Sequence, residues 1–314
     1  MVNVPSLAEA TSSRRIAVVG APSSIGIRPY DDGQERHLNR APAVLRERGL
    51  ITRLNAIDLG DVMPPPYKDF VRPADRPRNE GEVLAYSRAL AERVAAAKSG
   101  RFCLVLGGDC SIVLGCLHGA RRKAGDAIGL VYIDAHADFA TTEESRTGSV
   151  ASMCLAMAVG RSDSLLSRLG GDTPLVDPRH VAIVGRRDEN EWYGSSSLSE
   201  LGVVDLPDAT LRSSDPRDVA QSALAPVTAP GVRGFWIQLD ADVINPAVMP
   251  AVDSPEPGGL MPDELVRFLM PLVRHPRALG LSLTIYDPAL DPDRACARRL
   301  VHLLESALAA PALG

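Results

Sequence analysis

Two short acidic clusters hold the residues of this chain that are best suited to chemistry. In both clusters a carboxylate or an imidazole stands at every second position, and the residues are Asp134, His136, Asp138, Asp240 and Asp242. The first cluster directly follows the apolar run 129–133, and the second follows the apolar run 234–239. Four carboxylates gathered at the ends of buried strands would repel one another strongly unless a cation lay among them. The sequence therefore predicts a metal site.

The composition of the clusters indicates which metal they would bind. Carboxylate oxygens with few nitrogens suit hard or borderline divalent ions, above all Mn²⁺, with Zn²⁺ as an alternative. Five such groups are too many for a single tetrahedral site, and bridging carboxylates would hold two ions roughly 3.5 Å apart. Because two ions at that separation activate a shared water, we expect a hydroxide at neutral pH that can attack an electrophilic carbon.

Short apolar runs alternate with amphipathic stretches along the chain, and this pattern predicts a parallel sheet covered by helices. The predicted strands are 16–19, 102–106, 130–133, 181–184, 235–239 and 281–285. The predicted helices are 43–48, 82–98, 112–123, 262–273 and 294–309. Ligands of open parallel sheets lie beyond the carboxyl ends of the strands. Both acidic clusters fall there, and so does the segment 107–111, which reads Gly-Gly-Asp-Cys-Ser.

Size and charge limit the class of protein. The chain has 314 residues, of which 45% are hydrophobic and 23% are charged, so it is long enough to bury a large core. A net charge of −5 gives no basic surface for nucleic acid. No apolar run reaches the roughly 20 residues that cross a bilayer. We therefore expect neither a nucleic-acid partner nor a membrane partner.

The organisation of the chain favours one domain. The Pro-rich stretch 63–78 lies between two predicted sheet elements, so it is interpreted as a surface loop and not as a domain linker. Residues 1–13 are polar and lack the apolar segment of a signal peptide, and we interpret them as a flexible arm ahead of a single domain over 14–314. The five cysteines are widely spread with no Cys-x-x-Cys pair, which favours a reducing cytoplasm over a disulfide framework.

Several motifs, in order along the chain, resemble those of the arginase/agmatinase (ureohydrolase) family. They are Gly-Gly-Asp-x-Ser at 107–111, Asp-Ala-His-x-Asp at 134–138, Gly-x-Arg-Asp at 185–188 and Asp-x-Asp at 240–242. The resemblance covers nearly the full chain and implies a three-layer α/β/α fold with a mainly parallel central sheet. It also implies two divalent metal ions, most often Mn²⁺, and a homotrimer or homohexamer. The implied reaction is hydrolysis of a linear C–N bond in a guanidino, hydroxyguanidino or amidine compound by a metal-bridging hydroxide.

The same resemblance assigns roles to the acidic clusters. It implies that Asp134, Asp138 and Asp240 bridge or ligate both ions, and that His136 and Asp242 hold the second ion. Asp134 and Asp138 are also the carboxylates that it implies for catalysis. The small-molecule substrate would therefore meet the metals at the carboxyl edge of the sheet.

Cys110 departs from the family pattern. Family members normally have histidine after Gly-Gly-Asp, as a ligand of the first metal, so the implied ligand here is the Cys110 sulfur. A thiolate is a softer donor than an imidazole, and it raises the expectation of Zn²⁺ or Fe²⁺ relative to Mn²⁺. A branch of the family that handles N-hydroxyguanidines is similar in having cysteine at this position, which bears on the choice of substrate.

Three further departures affect how a substrate would be held. Ala151 stands where the family has a histidine that transfers protons, and Ile285 stands where it has a glutamate that contacts the guanidinium. Alanine cannot act as an acid or a base, and a less basic N-hydroxylated leaving group would need that help less. Asn190 replaces an aspartate that contacts the substrate's α-amino group. The expected substrate contacts are Thr147, Ser149, Asn190 and Tyr286, with Tyr286 or Asp287 replacing the missing glutamate.

These departures leave three hypotheses open. The first is a metal-dependent hydrolase that uses the retained carboxylates and histidine. The second, motivated by Ala151 and Ile285, is a catalytically inactive homologue that keeps its metal site for structure or ligand binding. The third is thiol catalysis, in which Cys110 attacks the guanidinium carbon. The exact substrate stays open, because specificity in such folds comes from loops.

Overall fold

The computed structural model describes residues 15–68, 76–97, 100–188 and 194–309. Its strands, in chain order, are β1 (Ile16–Ala21), β2 (Ile57–Asp61), β3 (Phe102–Gly107), β4 (Ile128–Ile133), β5 (Val181–Val184), β6 (Val204–Leu206), β7 (Gly234–Asp240) and β8 (Ala278–Thr284). All strand pairs are parallel, and they form one sheet in the order β2-β1-β3-β8-β7-β4-β5-β6. The residues of β3, β4 and β7 are buried throughout, which is why these strands are apolar runs without alternation.

Helices cover both faces of this sheet. The α-helices in the described residues are α1 (Ala41–Glu47), α2 (Leu50–Arg53), α3 (Glu80–Ala96), α4 (Ile112–Ala124), α5 (Cys154–Ala158), α6 (Asp208–Ser213), α7 (Pro216–Val227), α8 (Pro262–Arg274) and α9 (Ala295–Leu308). Helices α3, α4 and α5 pack together on one face, while α7, α8, α9 and α1 form a continuous layer on the other. The predicted three-layer α/β/α fold with a parallel central sheet is confirmed. Within the described residues, no helix combines the length and the apolar character needed to span a bilayer.

The parallel direction of the strands brings four carboxyl ends together at the centre of the sheet. Strands β3, β8, β7 and β4 are neighbours, and their registers pair Leu106 with Leu283, Leu283 with Leu239, and Leu239 with Ile133. The ends of the four strands are therefore level to within one residue. The segments that follow them, including both acidic clusters, meet at one edge of the sheet.

Gly108 allows the loop after β1 to lie against the end of β3. A Cβ atom on Gly108 would lie 2.0 Å from the carbonyl oxygen of Ser23, so only glycine fits this approach. Asp109 is buried, and its Oδ2 accepts hydrogen bonds from the Gly26 amide at 3.1 Å and from the Ser23 hydroxyl at 3.2 Å. These bonds fix the loop 22–40 beside the strand ends, where it forms part of the site described next.

Candidate metal centre

Six predicted ligands come together at the central strand ends, and all of them are buried: Cys110, Asp134, His136, Asp138, Asp240 and Asp242. Two overlapping groups have ligand atoms that lie within 4.8 Å of one another. The first group is Cys110, Asp134 and Asp138, and the second is Asp134, His136 and Asp242. Asp134 belongs to both groups, as a carboxylate shared by two ions would.

Asp134 has one carboxylate oxygen that the protein leaves without a partner. Its Oδ1 accepts a hydrogen bond from the His136 amide at 2.7 Å, and its own amide donates to the Val184 carbonyl at 3.0 Å. Its Oδ2 is buried and has no hydrogen-bond partner. Because a buried acceptor without a partner costs roughly 1–3 kcal/mol or more, such an atom requires an explanation. A cation at this oxygen supplies one.

The second acidic cluster is tied to the first by hydrogen bonds. The Oδ1 of Asp240, at the end of β7, accepts from the Asp242 amide at 2.8 Å. Asp242 in turn accepts from the Ala135 amide at 3.0 Å, and its Oδ2 lies 2.9 Å from His136 Nδ1. The two segments therefore hold each other in place at the edge of the sheet.

Tyr132 holds Asp138, a role that was not predicted from the sequence. Asp138 has a φ of 47°, and its Oδ2 accepts from the Tyr132 hydroxyl at 2.6 Å. The Tyr132 hydroxyl also lies 3.2 Å from the sulfur of Cys154. The signal that could have identified Tyr132 is its place inside a strand that is otherwise aliphatic, because a buried tyrosine hydroxyl needs a partner.

Cys110 lies within this cluster as a buried thiol. Its sulfur is 2.9 Å from Asp240 Oδ2, which also lies 3.3 Å from the Thr284 hydroxyl. Burial, followed by the charge of Asp240, raises the pKa of the Cys110 thiol well above its usual value. A divalent cation beside the sulfur would reverse this shift, since coordination deprotonates a thiol.

Burial and mutual repulsion disfavour the charged forms of most carboxylates in the cluster. Burial, with the charges of Asp242 and Asp138, raises the pKa of Asp134 well above its usual value, and the pKa of Asp240 is raised similarly. Burial is also the main reason that the pKa of Asp138 rises to about 7. Burial would raise the pKa of Asp242 too, but the adjacent His136 lowers it overall. A divalent cation would favour the charged forms of these carboxylates, so their raised pKa values, together with the partnerless Asp134 oxygen, fit the binding of divalent metal.

A cavity of about 340 Å³ lies above the cluster. Its floor consists of the proposed metal ligands, and its walls include Ala151 and Ile285, the two departures from the family pattern. Two of the predicted substrate contacts, Thr147 and Ser149, also line it. Asn190 lies outside the described residues. The volume is at the lower end of the range for sites that bind small molecules.

Tyr286 does not line this cavity, so its predicted contact with substrate is corrected. Its ring is buried, and its hydroxyl donates to Asp291 Oδ2 at 2.7 Å. The alternative, Asp287, is also buried, and its two oxygens accept from the His37 and Ala289 amides. Ile285 lines the cavity instead, with a φ of 65°, because the chain turns at this residue directly after β8. The residue that follows the turn consequently faces the core.

Five further cavity-lining residues were not predicted from the sequence. They are Arg28, Tyr30, Arg36, Arg146 and Asp253. These residues come from three separate loops. The concentration of arginines near Tyr30 was the available signal in the sequence, but nothing there placed it next to the metal ligands.

Replacing Tyr132 with phenylalanine is expected to weaken metal binding roughly 10- to 100-fold, the usual cost of removing a group that orients a ligand. The change removes only the hydroxyl that donates to Asp138 and keeps the ring in the core. The measurement is a metal titration of the metal-free protein. Tyr86→Phe is the matched control, because the buried Tyr86 hydroxyl donates to the Val62 carbonyl at 2.8 Å, outside the cluster. Equal metal affinities in the two variants would show that Tyr132 does not position the ligand.

The fold and the cluster together define an α/β/α protein with a carboxylate-rich site for divalent metal at the carboxyl edge of a parallel sheet. A family model described as "Arginase family" matches residues 14–310. The chain therefore belongs to the arginase family, and the predicted membership is confirmed.

Individual relatives match most of the chain. Arginase from Bacillus subtilis (strain 168) is 28% identical over 313 residues, which cover 94% of this chain and 98% of the relative. Arginase from Bacillus caldovelox is 32% identical over 265 residues, which cover 76% of this chain and 81% of the relative. The solved native structure of Bacillus caldovelox arginase has a TM-score of 0.84 at 27% identity, and the match covers 96% of this chain and 100% of that one.

Proposed function

We propose that this protein is a metal-dependent hydrolase of a linear C–N bond in a guanidino, hydroxyguanidino or amidine compound. The observation that carries the proposal is the pair of ligand groups, joined through Asp134, at the floor of a cavity that can hold a small molecule. Membership of the arginase family supports the reaction class, and two relatives that match most of the chain, from Bacillus subtilis and Bacillus caldovelox, are arginases. A single catalytic domain over 14–314 is part of the proposal and is supported by the single sheet, whereas the predicted arm at 1–13 lies outside the described residues.

Two divalent ions are proposed at the cluster. Asp134, Asp138 and Asp240 would bridge or ligate both ions, Cys110 would complete the first, and His136 and Asp242 would hold the second. Mn²⁺ is the proposed metal, with Zn²⁺ or Fe²⁺ as alternatives because the sulfur of Cys110 is a softer ligand. When bound, such ions lower the pKa of water and so supply a nucleophile at neutral pH.

The chain's own residues hold and orient the substrate above this floor. Asp134 and Asp138 are the proposed catalytic carboxylates, and Tyr132 fixes Asp138 through one oxygen only. Thr147 and Ser149 are proposed to contact the substrate from the cavity wall, and Asn190 is proposed as a further contact. The methyl group of Ala151 cannot supply a proton, so a leaving group of low basicity is favoured. A hydroxyguanidine meets that requirement better than a plain guanidine.

The setting in which the enzyme works is proposed from the family resemblance and the cysteines. A homotrimer or homohexamer is the proposed assembly, and a guanidino or amidine small molecule is the proposed partner. All five cysteines are free and buried, which supports a cytoplasmic location, where thiols stay reduced.

Metal removal tests the proposed function directly. Dialysis against a chelator is expected to lower hydrolysis roughly 10³-fold or more, because the nucleophile depends on the ions, and Mn²⁺ is expected to restore it. The assay follows release of urea, hydroxyurea or ammonia from guanidino, N-hydroxyguanidino and amidine compounds, with metal content measured by mass spectrometry. A mock-dialysed sample is the control. Full activity without metal would favour thiol catalysis at Cys110. A fully metal-loaded protein that hydrolyses none of these compounds would favour the inactive homologue.

A further inference from the structure

A row of polar side chains runs through the core beneath the metal cluster, and the proposed chemistry does not use it. Its members, here called the polar row, are Trp236 and Gln238 on β7 and Ser282 and Thr284 on β8, and all four are fully buried. The registers pair Gln238 with Ser282, and Thr284 with the proposed metal ligand Asp240. Because side chains alternate between the two faces of a strand, these residues share one face of the sheet.

Hydrogen bonds join the members of the polar row end to end. The Trp236 indole Nε1 donates to the Ser282 hydroxyl oxygen at 2.9 Å, and the Ser282 hydroxyl donates to Gln238 Oε1. The Gln238 Nε2 donates to the Thr284 hydroxyl oxygen at 2.7 Å, and that oxygen lies 3.3 Å from Asp240 Oδ2. A continuous set of bonds therefore connects the middle of the sheet to the metal cluster.

The direction of these bonds is fixed by the indole at the far end. An indole N–H can only donate, so the Ser282 oxygen accepts and its hydrogen passes to Gln238. The Gln238 amide then has its oxygen towards Ser282 and its nitrogen towards Thr284. With the amide turned the other way, the Thr284 hydrogen would be used on Gln238, and the Thr284 and Asp240 oxygens would face each other without a proton. The hydroxyl hydrogen of Thr284 is therefore directed away from Gln238.

Asp240 Oδ2 is the acceptor that best suits the Thr284 hydrogen. The carboxylate oxygen lies at 3.3 Å, and the alternative acceptor, the Leu239 carbonyl, lies at 3.4 Å. Hydrogen bonds to a charged acceptor are roughly twice as strong as those between neutral groups, and Asp240 is charged whenever it ligates a cation. The same oxygen lies 2.9 Å from the Cys110 sulfur, while the other accepts from the Asp242 amide at 2.8 Å. Thr284 thus supplies a hydrogen bond to the oxygen that faces Cys110.

Stability alone gives no reason for polar residues at these positions. Strands that are covered on both faces are usually apolar, and replacing both partners of a buried hydrogen bond with apolar groups of the same shape is nearly neutral or stabilising. A fully satisfied buried network does, however, favour one arrangement of its members over others. The benefit of the polar row is therefore the fixed direction of its last hydroxyl, which lies against a proposed metal ligand.

We propose that Thr284, oriented by the rest of the polar row, is a positioning residue that fixes the carboxylate of Asp240 for metal binding. This inference rests on the metal site of the proposed function and adds a residue that acts on one of its ligands from the core. A ligand that is already held in place loses less conformational freedom on binding metal. Thr284 does not line the cavity, so it acts on the site through Asp240 and not by touching substrate.

The test is a calorimetric titration of the metal-free protein with Mn²⁺. Thr284→Val removes the hydroxyl at nearly constant shape and is expected to weaken Mn²⁺ binding roughly 10- to 100-fold. Thr284→Ser keeps the hydroxyl and is expected to restore the affinity. Thr228→Val is the matched control, because the Thr228 hydroxyl donates to the Leu224 carbonyl at 2.7 Å, at the end of α7 and outside the cluster. This control is expected to bind Mn²⁺ like the unmodified protein.

A double-mutant cycle shows whether the polar row acts through Thr284. Gln238→Met removes the donor that orients the Thr284 hydroxyl and is expected to weaken Mn²⁺ binding about threefold to tenfold. Combined with Thr284→Val, it is expected to add no further loss, since the group that it orients is already absent. Urea-induced unfolding in the presence of a chelator checks that each variant is folded before it is titrated.

The outcomes separate this inference from the proposed function. An Mn²⁺ affinity that is unchanged in Thr284→Val, equally weakened in Thr284→Ser, or lowered additively in the double variant would overturn the positioning role, while metal-dependent hydrolysis by the unmodified protein would still stand. The expected affinities without turnover of any guanidino, N-hydroxyguanidino or amidine compound would support the positioning role and overturn the hydrolase. If the unmodified protein binds none of Mn²⁺, Zn²⁺ and Fe²⁺, both proposals fail.

Discussion

Replacing Asp134 with asparagine is expected to lower activity roughly 10³-fold or more and, at the same time, to stabilise the metal-free protein. Asp134 is the residue common to both ligand groups, so the neutral amide should impair both metal positions. Asparagine has the same shape as aspartate, and its oxygen can still accept from the His136 amide. The change removes a buried group whose ionisation is disfavoured in the metal-free protein by burial and by the charges of Asp242 and Asp138.

The measurements are metal content, turnover and urea-induced unfolding with and without metal. Asp291→Asn is the matched control, since Asp291 is also a buried carboxylate but has hydrogen bonds from the Tyr286 hydroxyl and the Cys296 and Ala297 amides. Losing that carboxylate is expected to destabilise the protein by about 1–3 kcal/mol. If the metal-free Asp134→Asn protein is destabilised as much as Asp291→Asn, then repulsion among the carboxylates of the cluster does not destabilise the metal-free protein.

The central part of the fold could be predicted because its sequence signal is strong. Strands covered on both faces are apolar throughout, and each predicted strand overlaps a strand of the structure. The two edge strands were missed because their residues are exposed or only partly buried. Strand β2 reads Ile-Asp-Leu-Gly-Asp, and β6 has only three residues around Asp205. Short, partly polar strands of this kind are recognised only once their neighbour is known.

Among the helices that were not predicted, α7 had a usable signal. Asp215 caps its N-terminus by accepting from the Arg217 amide at 2.8 Å, and Pro216 occupies its first position. An aspartate followed by proline before an apolar pattern is a recognised start of a helix. Helix α5, by contrast, has five residues and follows a 3₁₀ turn, so no periodicity could reveal it.

The metal cluster could be predicted and the cavity mouth could not, for a physical reason. The proposed ligands lie on short segments at strand ends, and parallel strands place those ends together whatever the loops do. The mouth depends on tertiary contacts between distant loops, such as the pair of Arg36 with Asp253, which are 217 residues apart. The error at Tyr286 is of the same kind, because the positive φ at Ile285 decides which neighbouring side chain faces the cavity.

The metal-free protein is expected to lose stability through this cluster as the pH rises from about 4 to 7, which is the reverse of the usual behaviour of paired carboxylates. The pKa of Asp138 is about 7 in the folded protein and about 3.8 when the chain is unfolded. Between these values the folded state binds the proton more strongly, so the stabilisation is fully present below pH 4 and is lost as the pH approaches and passes 7. A shift of about three pKa units corresponds to a loss on the order of 4 kcal/mol. The raised pKa values of Asp134 and Asp240 also lower the stability as the pH rises. The lowered pKa of Asp242 has the opposite effect on stability.

Other carboxylates also titrate in this range, so the measurement is a difference between two proteins. Urea-induced unfolding of the unmodified protein and of Asp138→Asn is followed from pH 4.5 to 8 in the presence of a chelator. The amide can still accept from the Tyr132 hydroxyl but does not titrate, so the unmodified protein should lose stability relative to the variant as the pH rises. With saturating Mn²⁺ the slope should reverse, because metal and protons compete for the same oxygens and metal binding strengthens as protons leave. Parallel curves for the two metal-free proteins would mean that Asp138 is no more difficult to ionise in the fold than in water, and the electrostatic reason for a cation at this edge of the sheet would be lost.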